Sequence, residues 1–423
     1  MRTAGRKKTG GWALAAAALG ARLCSRREGF LMDTKNVWAV LTACVAVFSF
    51  AGGGVPEPLG ERPGNVCLSD QRLVVALPKS FAGCARWECR DTAGRVVAQG
   101  ALAGGAASVD LGVRPVGWYR VDGVDAAGNR RAWTTAASLR RLAAPTPRGS
   151  PVRIDTANAW FTRTGTPEGD LKKMRAFASL AALAGVSGVR DRLTWGEVET
   201  VSWALASQTR YDESARVLSE TGLDVLQVFH ATPGWACAPW LDDADAYKRY
   251  PRDLRDQYRF CRAMAARFKG RIQAWEPWNE ANIEGFGGHV SDEMCALQKA
   301  SYLGFKAGDP GLTVCWNVYA GSGSELHTRG VLDNAAWAYF DTYNIHSYSP
   351  VESYVREFST ARTGACGRPL WISECGIHVN WSAEHGDLSD AEEVRQARFV
   401  PQSFATSLFA GVSEHYFFIL GNY

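Results

Sequence analysis

Two short apolar runs each end in a glutamate: Ile272-Gln273-Ala274-Trp275-Glu276-Pro277-Trp278-Asn279-Glu280 and Leu370-Trp371-Ile372-Ser373-Glu374. Each reads as a buried parallel strand that stops by presenting a carboxylate. A closed (β/α)₈ barrel gathers such side chains at the carboxyl ends of its strands. Two carboxylates facing one cavity suit cleavage of a glycosidic bond. One protonates the leaving oxygen, and the other attacks the anomeric carbon or steers water. Glu276 lies four residues before Glu280 in the same run, so it falls deeper in the barrel or on the wrong face.

The elements that would position this pair follow from patterning. From residue 152 strand and helix signals alternate. Strands are predicted at Val152–Thr156, Gly188–Arg192, Leu223–Phe229, Ile272–Pro277, Leu312–Asn317, Tyr343–His346, Leu370–Ser373 and His415–Leu420. Helical patterns lie near Asp170–Leu183, Tyr211–Glu220, Leu254–Phe268, Asp292–Lys306, Gly330–Ala338, Val351–Thr360 and Glu392–Leu408. Eight strands and seven helices give the periodicity of a (β/α)₈ TIM barrel over 152–423, with no eighth helix before Tyr423. A doubly wound open sheet is the alternative, but no strand is followed by a glycine fingerprint or a P-loop.

Upstream, residues 60–140 lack helical periodicity and show six short alternating runs: Leu73–Leu77, Ala85–Arg90, Arg95–Gln99, Ala107–Leu111, Trp118–Val124 and Ala132–Ala136. Turn signals between them predict a small all-β sandwich. A Pro-rich connector, 141–151, then leads into the barrel. Residues 1–51 read as a targeting segment with its start at Met32. The uncharged run Val37–Phe50 ends in Ser49-Phe50-Ala51, a small-x-small cleavage site, which predicts a secreted or periplasmic protein. Leu41-Thr42-Ala43-Cys44 matches a lipoprotein box, but the residues after it stay apolar where an anchored chain would turn polar.

Of 423 residues, 46% are hydrophobic and 21% charged, a globular composition, and the net charge of +4 has both signs interspersed. No basic stripe suggests nucleic acid, and no apolar run is long enough to span a membrane. Nine cysteines remain beyond the targeting segment, an odd number with no framework spacing. Seven dispersed histidines, without HExxH or CxxC, give no metal or cofactor signature.

With these residues in place, the 152–423 segment resembles clan A of the glycoside hydrolases. These are retaining (β/α)₈ enzymes with the acid/base on strand four and the nucleophile on strand seven. Trp278-Asn279-Glu280 resembles the strand-four signature, and Trp371-Ile372-Ser373-Glu374-Cys375-Gly376 the strand-seven segment. Each falls on the matching strand when strands are counted from the pattern alone. Family 39, the β-xylosidase-like group, is nearest. Arg190-Asp191 followed by Trp195, Thr232-Pro233-Gly234-Trp235-Ala236, and Tyr302–Pro310 are similar to it. The family's Pro after the acid/base is Ala281 here.

The resemblance implies Glu280 as acid/base, in a cavity walled by Trp275 and Trp278, and Glu374 as nucleophile. It implies Asn279 as a hydrogen-bond partner of the sugar 2-hydroxyl, His346 as a substrate contact and Tyr348 as a partner of the nucleophile. Arg190 is a candidate cation for Glu374, with Asp191 or Glu197 as competing partners. His230 is a candidate for lining the donor subsite, and Trp195, Trp235 and Trp371 are candidate stacking platforms. The clan's strand-eight Trp is replaced by Tyr416-Phe417-Phe418, which leaves the usual platform unassigned. Glu197 and Glu199 are not where the clan keeps its pair.

The expected activity is retaining hydrolysis of a β-linked oligo- or polysaccharide, with carbohydrate as the partner. A non-catalytic carbohydrate-binding barrel and a transglycosylase using the same residues are the alternatives. If export starts at Met32, N-terminal sequencing of the exported protein should begin at or near Gly52. A mature chain beginning before Met32, or a lipidated Cys44, would contradict this.

Overall fold

A computed structural model describes residues 63–238, 248–321, 323–382 and 387–421; the targeting segment lies outside the described residues. Period-two alternation builds the first part. Strands β1 (Val66–Leu68), β2 (Arg72–Ala76), β3 (Arg86–Asp91), β4 (Val96–Ala101), β5 (Ser108–Val113), β6 (Gly117–Val124) and β7 (Arg130–Leu139) form two sheets. Their orders are β1-β7-β6-β3-β4 and β2-β5. Leu73, Val75, Cys89, Val109, Leu111, Tyr119 and Val121 interlock as a buried core. Strands β2 to β7 overlap the six predicted runs. At three residues β1 is too short to show alternation.

The connector is bonded to the segment that carries the parallel sheet. The Thr146 hydroxyl donates to the Gly185 carbonyl at 3.1 Å, and the Ser187 hydroxyl to the Ser150 carbonyl at 2.8 Å.

The second part is a parallel sheet rolled on itself. Its strands are β8 (Val152–Asp155), β9 (Gly188–Thr194), β10 (Asp224–His230), β11 (Ala274–Glu276), β12 (Thr313–Val314), β13 (Tyr319–Ala320), β14 (Tyr343–Ser347), β15 (Leu370–Cys375) and β18 (Val412–Phe417). The order is β12-β11-β10-β9-β8-β18-β15-β14-β13. Strands β12 and β13 are two halves of one stave, interrupted at Trp316–Val318. The sheet's ends meet there: Cys315 bridges Thr342 in parallel, the Trp316 N–H donates to the Thr342 carbonyl at 2.9 Å, and β13 pairs with β14. A small hairpin, β16 (Trp381–Ser382) and β17 (Asp387–Leu388), follows β15.

One long helix follows each of the first seven staves: Pro167–Leu183, Arg210–Glu220, Leu254–Arg267, Ser291–Gly308, Glu325–Asp333, Tyr354–Ala365 and Asp390–Phe409. Their starts are coded locally. Thr166 accepts from the Gly169 N–H ahead of Pro167, Thr209 and Asp212 form a capping box, and Ser324 accepts from the His327 N–H. The fifth helix lies upstream of its predicted span, Gly330–Ala338. Ser324 starts it early, and Ala335, at φ 49°, turns the chain into a short 3₁₀ segment, Ala336–Tyr339. No described helix is long and apolar enough to cross a membrane.

Aromatic residues fill the space between staves and helices. Trp195, Phe229, Phe260, Phe268, Trp275 and Phe305 pack one side, and Trp278, Trp316, Phe340, Tyr343, Tyr354 and Phe358 the other. On β9 Val189 and Leu193 join that outer packing, so period-two alternation sends Arg190 and Arg192 inward. Leu226, Ala274, Cys315 and Tyr416 form an apolar plug inside the ring.

Ala335 sits in the left-handed region, where a Cβ costs free energy that glycine avoids. Ala335→Gly should therefore stabilise the protein by about 0.5–1 kcal/mol in urea or thermal unfolding. An equal loss would show that the kink is not limiting there.

Candidate active site

Glu374 reaches the interior because β15 carries an extra residue. Ile345 of β14 pairs with Ile372, but the next residue, His346, pairs with Glu374; on the other side His415 pairs with Ile372 and Phe417 with Cys375. Ser373 is the bulge. Leu370, Ile372 and Cys375 all face the outer packing, and strict alternation would have sent Glu374 there too. A bulge re-aims the side chain that follows it.

Glu280 is placed differently. Strand β11 ends at Glu276, and the chain turns through Pro277–Asn279 to Glu280, which sits at φ 43°. A non-glycine residue in the left-handed region costs free energy that the surrounding structure must offset, and such residues cluster at functional sites.

The two carboxylates meet around His346. Its Nδ1 lies 2.9 Å from Glu280 Oε1 and 3.6 Å from Glu374 Oε2. One ligand atom from each of the three side chains lies within 4.8 Å of the others. That spacing would also accommodate a cation, but two guanidiniums on Glu374 set an opposing positive field.

Both guanidiniums grip Glu374 Oε1. Arg190 Nη1 donates to it in a short contact, and Arg192 Nη2 donates at 2.9 Å. The other oxygen, Oε2, accepts from the Tyr348 hydroxyl at 2.9 Å. Burial alone would raise the Glu374 pKa. The electrostatic pull of His346, Arg190 and Arg192 and the Tyr348 hydrogen bond outweigh it and hold the group below the ordinary carboxylate value. Tyr348 is pushed the other way, upward, by burial of its hydroxyl and by the Glu374 charge.

Arg190 organises more than Glu374. Its Nε donates to Glu276 Oε2 at 2.7 Å, Nη1 also reaches Asp155 Oδ2 at 3.1 Å, and Nη2 donates to Asn279 Oδ1 at 2.7 Å. Because the Asn279 oxygen is taken, its amide NH₂ is the end left to face a ligand. Glu276 is wholly buried and also accepts from Asn344 Nδ2 at 2.7 Å, so it serves Arg190 from inside the barrel. Neither competing partner reaches Arg190. Asp191 faces outward to the Ala159 N–H and the Ser214 hydroxyl, and Glu197 binds Arg163 and the Tyr211 hydroxyl.

Arg190, Asn279, Glu280, His346, Tyr348 and Glu374 thus come together. His230 stands beside them, its ring 5.6 Å from Trp160, 6.2 Å from Trp278 and 5.5 Å from Phe286. Burial, then the charges of Arg192 and Arg190, lower its pKa to about 3, so the imidazole is neutral.

The expected platforms are placed elsewhere. Trp195 is fully buried in the outer packing, stacked on Phe260 at 4.5 Å, and cannot meet a sugar. Trp235 donates to the Glu199 carbonyl at 3.1 Å and abuts Trp195 and Arg259. Trp371 packs against the apolar plug, 6.3 Å from Tyr416. Trp275 also faces the outer packing, so it does not wall the Glu280 cavity.

Arg192, Asp155, Trp160 and Phe418 are functional neighbours that the sequence pattern did not single out. Arg192 is two residues beyond Arg190 on one strand, a spacing that places both on one face. Its guanidinium binds Asp155 Oδ1 at 2.5 Å and lies 5.6 Å from the Phe418 ring and 6.0 Å from Trp160. Phe418 is also 6.1 Å from Tyr348, which puts an aromatic ring of the strand-eight end at the site. Cys375 is packing: its Sγ lies 3.1 Å from the Tyr354 hydroxyl, and burial pushes the thiol up to about 12.

A solved structure shares this fold. A family 39 glycoside hydrolase from the gut symbiont Bacteroides cellulosilyticus WH2 superposes with a TM-score of 0.58 at 16% identity, over 84% of this chain and 74% of that one. The chain has the fold of a family 39 glycoside hydrolase. A family 5, subfamily 18 enzyme from Streptomyces cattleya aligns at 15% identity and TM-score 0.49, over 64% of this chain and 71% of its own. A family 30 endoxylanase from Clostridium papyrosolvens C71 aligns at 14% and 0.45, over 66% and 67%. No family model matches the chain, and no curated protein matches it.

Removing one of the two cations on Glu374 should weaken its hold on the ionised form. Arg192→Gln should shift the acid limb of a kcat/KM profile upward by about one pH unit, since the carboxylate then protonates sooner as pH falls. An unchanged acid limb would show that Arg192 does not act on Glu374.

Proposed function

We propose that the protein is an exported retaining glycoside hydrolase that cleaves a β-linked oligo- or polysaccharide through a glycosyl-enzyme on Glu374. The observation that carries this reading is the proximity of the two carboxylates. A separation near 5 Å leaves no room for the water that an inverting mechanism places between carboxyls about 6.5–9.5 Å apart. One oxygen of Glu280 and one of Glu374 lie within 4.8 Å of each other, which supports the retaining reading.

The surroundings give each carboxylate a different task. Glu374 is ionised and held at Oε1 by two guanidiniums, which leaves Oε2, bonded to the neutral Tyr348 hydroxyl, to attack the anomeric carbon. That hydroxyl is free to follow the ring oxygen as charge leaves Glu374. Glu280 protonates the departing oxygen in the first step and takes a proton from water in the second. The Asn279 amide donates to the sugar 2-hydroxyl, a bond that strengthens as the oxocarbenium character grows. Phe418 and Trp160 offer apolar faces to the sugar in place of the expected tryptophans. The strands over 66–139 are read as an accessory β-sandwich against this catalytic barrel.

The two glutamates should fail differently. Glu374→Ala should lose about 10⁴-fold or more in turnover on every substrate. Glu280→Ala should lose much less on dinitrophenyl glycosides, whose leaving group needs little protonation, while remaining severe on natural glycosides. Azide should rescue both, giving an inverted glycosyl azide with Glu374→Ala and a retained one with Glu280→Ala. Identical leaving-group dependence in both variants would contradict these roles. An unaltered wild type that releases no sugar from a broad panel of polysaccharides and aryl glycosides would instead favour a binding barrel.

A further inference from the structure

Charge is divided along the chain. Residues 63–150 hold twelve Lys/Arg against six Asp/Glu, a net of +6, and residues 151–423 hold 26 against 33, a net of −7. Four of the twelve cations meet on one face of the five-stranded sheet. Cys89, Tyr119 and Val121 point to the core, so their strand neighbours Arg86, Glu88, Arg90, Arg120 and Asp122 point away from it. Glu88 lies opposite Asp122 in the register, and Asp122 opposite Trp133.

On this face the carboxylates lie underneath and the guanidiniums on top. Asp122 is approached by Arg120 at 2.9 Å, Arg90 at 3.5 Å and Arg130 at 3.7 Å, and Glu88 by Arg90 at 2.6 Å and by Arg86. The Asp122 and Glu88 side chains are 1% and 12% exposed, whereas those of Arg86, Arg120 and Arg130 are 44%, 35% and 56% exposed. Four cations over two covered anions present a positive surface to solvent. Trp133 lies within it, 5.1 Å from the Arg120 guanidinium. At the edge, Gln99 and Ala101 pair across from Glu88 and Arg86. There the face runs into a cleft of about 780 Å³, lined by Arg86, Gln99, Ala101 and the turn at Asp125–Gly128.

We propose that this face binds an anionic glycan, a chain whose sugars carry carboxylate or sulfate groups. Planar guanidiniums match both anions, and an indole stacks on a sugar ring, a pairing that neither a neutral polymer nor a small anion would use fully. The choice of a glycan over another polyanion rests on the glycosidase reading, but the binding face needs no catalysis.

The test uses the full chain carrying Glu374→Ala, so that bound polymer is not consumed. Retention on immobilised polyuronate and on a sulfated polysaccharide is compared with retention on a neutral glucan and on duplex DNA. Binding to one or both acidic glycans should exceed binding to the neutral polymer by about tenfold or more and fall with added salt. The two acidic supports distinguish carboxylate from sulfate as the source. The Arg86→Gln/Arg130→Gln pair and, separately, Trp133→Ala should each weaken retention about tenfold, with the unfolding midpoint within a few degrees of the parent. Equal retention on neutral and acidic glycans would overturn the proposal, as would retention indifferent to all three substitutions. So would stronger retention on DNA, or salt-sensitive self-association that buries this face against a second copy's acidic barrel. Loss of catalysis in the unaltered protein, with this binding intact, would overturn the glycosidase reading and leave the face standing.

Discussion

One buried cation organises the barrel interior. Arg190 has no exposed surface, and its guanidinium is shared among Asp155 on β8, Glu276 on β11 and Glu374 on β15, with Asn279 completing the set. Burial opposes its charge, but the three carboxylates outweigh burial and hold the proton more firmly than in water. Each partner alone would be an uncompensated buried charge. Removing one member of such a set costs about 3–5 kcal/mol, because the remaining charges stay behind without water. The staves are therefore tied to one another at the height where the chemistry is proposed.

Reactive geometry follows from that constraint. Arg190 and Arg192 both hold Glu374 Oε1, so the carboxylate cannot rotate without breaking two charged bonds. Its other oxygen is set toward His346 and Glu280. The same Arg190 fixes the Asn279 amide through its oxygen, one residue before Glu280. Two local departures from ideal backbone finish the arrangement: the Ser373 bulge that turns Glu374 inward and the positive φ of Glu280. Both lie at the carboxyl ends of staves, where a parallel barrel leaves its backbone least constrained by pairing.

Much of this was visible in the residues. Apolar runs ending in Glu280 and Glu374 lie on the fourth and seventh staves, and Arg190, Asn279, His346 and Tyr348 gather around them. Periodicity reports which residues are apolar, not which side of a two-sided stave they face. Trp275 and Trp371 are neighbours of carboxylates in sequence, yet one packs against the helices and the other against the apolar plug. Trp195 follows a strand as a binding residue would, but a single helical turn folds it under Phe229 and Phe260. The bulge at Ser373 has no signature in residue type, so the inward turn of Glu374 was legible from its place at the end of a strand and from the resemblance, not from alternation. Arg192 was the recoverable omission, since its spacing from Arg190 already put it on the same face. The fifth helix was misplaced because Ser324 and Ala335 act through cap geometry, while the apolar pattern continues past both.

The proposed mechanism requires a covalent bond between Glu374 and the sugar. The most direct measurement is active-site labelling with a panel of 2-deoxy-2-fluoro glycosides bearing good leaving groups, with peptide mapping of the product. The fluorine slows both steps, and the leaving group restores the first, so the glycosyl-enzyme accumulates. One label per chain is expected, attached to the peptide at Glu374 and absent after Glu374→Ala. A label on Glu280 or Glu276, or full turnover of the matching natural glycoside with inverted product and no label, would contradict it.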